Sequence, residues 1–85
     1  MLVRLLRGAL AVQFSLAEDT PGDLCIYDTH GRRIATLEQG ILRQGARSLA
    51  WGAITADGRP AAAGIYFVRL ETRNFTRTAK FALQR

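Results

Sequence analysis

The run Ala63-Gly64-Ile65-Tyr66-Phe67-Val68-Arg69-Leu70 constrains this chain more than any other stretch. It is β-branched and aromatic, with a glycine at its mouth and no interior proline, which is the composition of a strand near the middle of a sheet. Period two places Tyr66, Val68 and Leu70 on one face and Ile65, Phe67 and Arg69 on the other. The first face is assigned to the core. Left uncovered, Ile65 and Phe67 on the second would form an apolar patch able to pair chains.

The rest of the chain repeats this strand signal in shorter form. Leu10, Val12, Phe14 and Leu16 alternate with polar Gln13 and Ser15, so residues 10–16 read as a first strand. The same region carries features of a signal peptide: Arg4 and Arg7 early, a largely apolar segment to Leu16, and a small-x-small Ser15-Leu16-Ala17. The clean alternation favours the strand. Residues 1–9 stay open between a helical face of Leu2, Leu5 and Leu6 and an edge strand, so the domain proper is set at residues 10–85. Glu18-Asp19-Thr20-Pro21-Gly22-Asp23 reads as a turn, residues 24–27 as a strand with Leu24 and Ile26 on one face, and Asp28-Thr29-His30-Gly31 as a tight turn. There the aspartate can accept backbone N–H bonds, and Gly31 can take the left-handed conformation. Residues 32–37 return as the partner strand, Gln39-Gly40 reads as a loop and Gln44-Gly45 as a second turn. Residues 46–51 follow with Leu49 and Trp51 sharing a face, then the strong turn Asp57-Gly58-Arg59-Pro60. After the Gly64 strand the chain reverses near Arg73-Asn74, and a last strand puts Ala79, Phe81 and Leu83 inward with Thr76, Thr78 and Lys80 outward.

Strands spaced by about 8–12 residues and separated by Gly, Asp and Pro predict an all-β sandwich of about seven antiparallel strands. No apolar run approaches the length of about 18 residues that a membrane helix needs. With 85 residues there is room for one domain, and a chain this short buries only about 60% of the surface its unfolded form exposes. Cys25 is the sole cysteine, which excludes an intrachain disulfide and a cysteine-built metal site. Its apolar neighbours predict a buried thiol, and stability must then come from side-chain burial. Trp51 is expected at the centre of that core.

The net charge of +5 invites a polyanion partner. The arginines are dispersed along the chain, however, with neither an aromatic-basic motif nor a recognition helix, so nucleic-acid binding is not expected. His30, the sole histidine, sits in a turn without an orienting acid and nucleophile. Ser15 and Ser48 fall at outward strand positions, and Asp19, Asp23, Asp28 and Asp57 match no calcium loop and are each assigned to a turn. The expectation is a non-enzymatic chain with no cofactor, no metal and no small-molecule substrate. Tyr27 and Phe67 are the aromatics available to a sugar or protein partner.

The order of these motifs carries a resemblance. The Gly64-Ile65-Tyr66 strand start resembles that of immunoglobulin-like sandwiches, in which a tyrosine hydroxyl turns back to the chain at a corner, with Val68 where antibody domains have cysteine. Phe14-Ser15-Leu16, the run from Ile26 to Leu37, Gln44-Gly45 before Leu49-Ala50-Trp51, Asp57-Gly58-Arg59-Pro60, the Gly64 strand and Lys80-Phe81-Ala82-Leu83 together resemble the C-terminal sorting domains of bacterial type IX secretion. They are similar as well to the immunoglobulin-like domain of the flagellar hook-capping protein. The first likeness implies an exported module, passing through the periplasm to the cell surface or beyond. Its partner would be a protein, either the outer-membrane secretion machinery or a larger passenger chain, met by strand addition with Lys80 and Arg85 turned toward acidic groups. The second implies a structural module tiled along a filament or beside an enzyme domain. The sequence departs from the sorting pattern at Gly22, where an inward apolar residue is expected, and at Gly52, where aspartate is common.

Overall fold

The computed structural model describes residues 1–84. Seven strands form among them: β1 (Leu2–Leu6), β2 (Ala9–Leu16), β3 (Thr20–Asp28), β4 (Arg33–Leu42), β5 (Gly45–Trp51), β6 (Gly64–Thr72) and β7 (Thr76–Leu83). They make two antiparallel sheets, one ordered β1-β2-β5 and the other β4-β3-β6-β7. The all-β sandwich expected from the alternation is the observed architecture. No helix among the described residues is long and apolar enough to cross a membrane.

The core is the sum of the alternating faces. β2 contributes Leu10, Val12, Phe14 and Leu16, β3 Leu24 and Ile26, β6 Tyr66, Val68 and Leu70, and β7 Phe81 and Leu83. At one end Trp51 stands edge-on to Tyr66 and Phe81, with ring centroids 6.0 Å away in both cases, while Tyr66 and Phe81 stack at 5.9 Å. Trp51 belongs to the three-stranded sheet and the other two rings to the four-stranded one, so the cluster ties the layers together. Both polar tips are satisfied: the indole N–H donates to the Ile54 carbonyl at 2.9 Å and the Tyr66 hydroxyl to the Ala62 carbonyl at 2.6 Å. The second of these is the tyrosine corner that the Gly64-Ile65-Tyr66 start implied.

The open segment at residues 1–9 forms the edge strand β1, hairpinned onto β2 through Arg7 and Gly8. Two other expectations are corrected. Residues 20–23, read as a turn, are the first part of β3, and Gln39-Gly40, read as a loop, lies inside β4. The two segments pair with each other, Pro21 opposite Ile41 and Gly22 opposite Gly40. Each looks irregular alone because of its glycine or proline, and each supplies the other's ladder. Asp23 therefore sits in a strand and not in a turn. Gly22 has a reason of its own: a Cβ there would run into the Glu71 carbonyl of β6, so only glycine permits the strands to approach this closely.

The turns follow the sequence more literally. Asp28 Oδ1 accepts the N–H groups of His30 at 2.8 Å and Arg32 at 3.0 Å, Oδ2 receives Arg32 Nε at 2.8 Å, and Gly31 has φ 78°. The Arg32 backbone N–H, then its guanidinium and the His30 N–H, hold the Asp28 carboxyl below its ordinary 3.8. Asp19 is lowered too, by the Gln44 N–H and the Arg43 guanidinium. Because the folded values lie below the unfolded ones, the unfolded chain takes up protons first as pH falls. The stabilisation from these turns is complete at neutral pH and is lost as pH drops from about 4 through the depressed values. Urea midpoints should accordingly decline below about pH 4, and Asp28→Ala should be less stable at neutral pH but show a shallower acid decline.

Candidate interaction face

The outward side of the four-stranded sheet is built by the positions that the core alternation leaves over. The ladder sets them in rows: Tyr27 opposite Phe67 and Phe67 opposite Lys80, Cys25 opposite Arg69 and Arg69 opposite Thr78, and Ile65 opposite Ala82. Tyr27 and Phe67 are half-buried, Lys80 is exposed, and Ile65 keeps 43% of its surface accessible. The apolar patch anticipated at Ile65 and Phe67 is thus uncovered. It is widened by Tyr27 and bordered by cations.

Arg69 organises the middle of this face. Its guanidinium carbon lies 4.2 Å from the centre of the Tyr27 ring, Nη2 donates to the Tyr27 hydroxyl at 2.7 Å, and Glu71 stands 3.7 Å away. This diagonal contact fixes the tyrosine and flattens the arginine against the sheet. Nε of Arg69 is buried and has no hydrogen-bond partner among the described residues. Next to it in the register, Cys25 is fully buried, and its Sγ–H is shared between Asp23 Oδ1 at 3.6 Å and Thr36 Oγ1 at 3.7 Å. A shallow depression opens here, lined by Tyr27, Asp28, Thr29, Phe67, Arg69 and Thr78. Its one carboxylate, Asp28, is already committed to the turn. What the depression offers a ligand is therefore an aromatic floor with positive charge.

Lys80 stands at the middle of β7 against Phe67 and makes no ion pair among the described residues. Arg85, the other residue assigned to a partner, lies outside the described residues. His30 is exposed at the β3–β4 turn, whereas Ser15 and Ser48 are exposed on strands of the opposite layer. The fold does not bring these three together. No group of three or more His, Cys, Asp or Glu side chains able to hold a metal ion occurs among the described residues. The Arg69–Tyr27 pairing escapes sequence reasoning, because the two residues are joined only by the β3–β6 ladder. The period-two assignment of Arg69 to the outward face was the available signal.

A family model described as the FlgD Ig-like domain matches residues 5–75. No curated protein and no solved structure matches the chain. The match supports the hook-capping resemblance, and no comparison points to a type IX sorting domain. Together with the two antiparallel layers and the tyrosine corner, it establishes that this chain belongs to the FlgD Ig-like domain family.

Proposed function

We propose that this chain is a structural, non-catalytic immunoglobulin-like module of the hook-capping kind, one that docks a protein partner on the outward face of its four-stranded sheet. The contiguous patch of Tyr27, Ile65, Phe67, Arg69 and Lys80 carries this reading. Aromatic and arginine side chains with apolar neighbours are the groups that supply most binding energy in protein interfaces. The unpaired positive charge selects an acidic partner surface. Neither a cofactor nor a small substrate is part of the proposal.

The test is site-specific photo-crosslinking in the organism that encodes the chain, with the probe at position 67 and, as the opposite-layer control, at position 48. A discrete protein adduct from position 67, lost in Lys80→Glu, is the expected result. Both Phe67 and Lys80 point out of the core, so the substitution should change the unfolding free energy by no more than about 0.5 kcal/mol. Adducts from position 48 alone would remove the face from consideration.

A second reading, sorting of an exported protein to the cell surface, is favoured by one observation: the closing Lys80-Phe81-Ala82-Leu83 segment lies on an outer strand with Lys80 free to meet an acidic receptor. A reporter fused to the full chain, with the edge strand β1 kept, and expressed in a bacterium with type IX secretion should reach the surface on this reading. Retention in the periplasm would eliminate it and leave the hook-capping reading intact.

A further inference from the structure

The two sheets have four outer strands, and two of them carry a bulge or an inward charge. β4 is interrupted by two register shifts against β3, between Leu24 and Cys25 and between Ile26 and Tyr27. Such bulges spoil an edge as a template for a further strand. β5 turns Arg47 inward, where it meets Glu38 of β4 at 3.0 Å, and an inward charge on an outer strand has the same effect. β7 carries Lys80 after Thr76 and Thr78 on its outward face and exposes no large apolar side chain. β1 carries an outward charge too, Arg4, but neither a bulge nor an inward charge. Its register with β2 is unbroken from Leu2 to Leu6, it contains neither glycine nor proline, and Leu2, Leu5 and Leu6 are 57%, 49% and 45% exposed.

The geometry points to β1 as an acceptor edge that takes an extended segment of a partner protein, in which apolar residues alternate with carboxylates. The closing pair of a two-residue hairpin, here Leu6 with Ala9, is hydrogen-bonded. By alternation Leu2 and Arg4 also bond to β2, and the N–H groups of Val3 and Leu5 face away from the sheet. An added strand finds its donors there. Its inward side chains find a groove between β1 and β7, lined by Leu5, Leu6, Arg7, Ala82, Leu83 and Gln84. Its outward side chains find Arg4, which like Arg7 makes no ion pair among the described residues. A second copy of the chain fits less well. A two-fold antiparallel β1 pair centred on Arg4 sets that arginine against itself, and each copy carries a net charge of +5. Directly opposed like charges destabilise a ladder.

β1 belongs to the other sheet from the Tyr27–Phe67 face, so this inference and the proposed function fail independently. The probe is the capped peptide Glu-Leu-Glu-Val-Glu-Leu-Glu, added to the full chain and followed by amide hydrogen exchange and nitrogen-edited NMR. Expected are slowed exchange at the Val3 and Leu5 amides, weaker binding of the analogue with lysine for glutamate, and a reversal of that preference in Arg4→Glu. The reversal should amount to about fivefold in affinity, the ratio that corresponds to one cross-strand charge pair. Leu5→Pro, which deletes an outward N–H, should abolish binding. If it also unfolds the domain, the exposed Arg4→Glu carries the test alone. Four results would each overturn the inference: no binding up to millimolar peptide, equal binding of the two peptides, shifts confined to β7 or the Tyr27–Phe67 face, or protection of Val3 and Leu5 by self-association without peptide.

Discussion

Trp51→Ala is expected to lower stability by about 3–5 kcal/mol, enough to leave a domain of this size largely unfolded. Trp51 is 4% exposed and is the one ring of the aromatic cluster that comes from the three-stranded sheet. Its removal opens a cavity between the layers and deletes both edge-on contacts. It also leaves the Ile54 carbonyl, which holds the loop after β5, without its indole donor. Trp51→Phe separates the contributions: it keeps a ring between Tyr66 and Phe81 and should lose less. The measurement is a urea titration followed by far-ultraviolet circular dichroism, since the substitution removes the natural fluorophore. An unchanged midpoint would mean that the indole is not part of the core.

The second large effect is expected at a residue with no side chain. Gly22→Ala should destabilise by about 3 kcal/mol, the upper part of the range for overpacked sites. The new methyl would collide with the Glu71 carbonyl and meet the Leu42 Cδ1 and the Thr72 Cα at 3.2 Å each. Two of the three are backbone atoms, and β3 is laddered on both sides, to Gly40 of β4 and Thr72 of β6. It cannot slide aside without breaking one ladder. Exchange at the Arg73 amide, which donates to the Pro21 carbonyl of β3 at 3.3 Å, should quicken along with the loss of stability. Gly52→Ala is the control: a Cβ there meets nothing and the backbone is not left-handed, so it should be neutral or gain up to about 1 kcal/mol. If both glycines tolerate alanine equally, the close approach of β3 to β6 is not a constraint.

Much of this fold is legible in the chain because its core strands alternate and each alternation names its buried face. Period two places Leu10 to Leu16, Tyr66 to Leu70 and Phe81 with Leu83 where the core has them, and the Asp-x-x-Gly composition places the Asp28 turn. What failed had a common cause. Pro21-Gly22 and Gln39-Gly40 look like breaks in the sequence because a local window sees only their conformational freedom. In the structure their irregularities face each other across one ladder, a fact about pairing that no window contains. The candidate interaction face is half legible. Ile65, Phe67, Tyr27 and Lys80 were identified singly, but that Arg69 leans across to Tyr27 depends on β6 lying beside β3, which depends in turn on the order of strands in the sheet.

That order has a consequence for how the domain comes into being. β2 finds β5 across the whole β3–β4 hairpin, and β3 finds β6 only after β5 and the following loop have been made. A growing chain therefore holds a half-zipped β3, with one flank open, until Gly64–Thr72 emerges. Acquisition of the native state should be slow for the chain's length, on the order of milliseconds to seconds. Any ribosome-bound intermediate that ends before Gly64 should be the species that chaperones recognise.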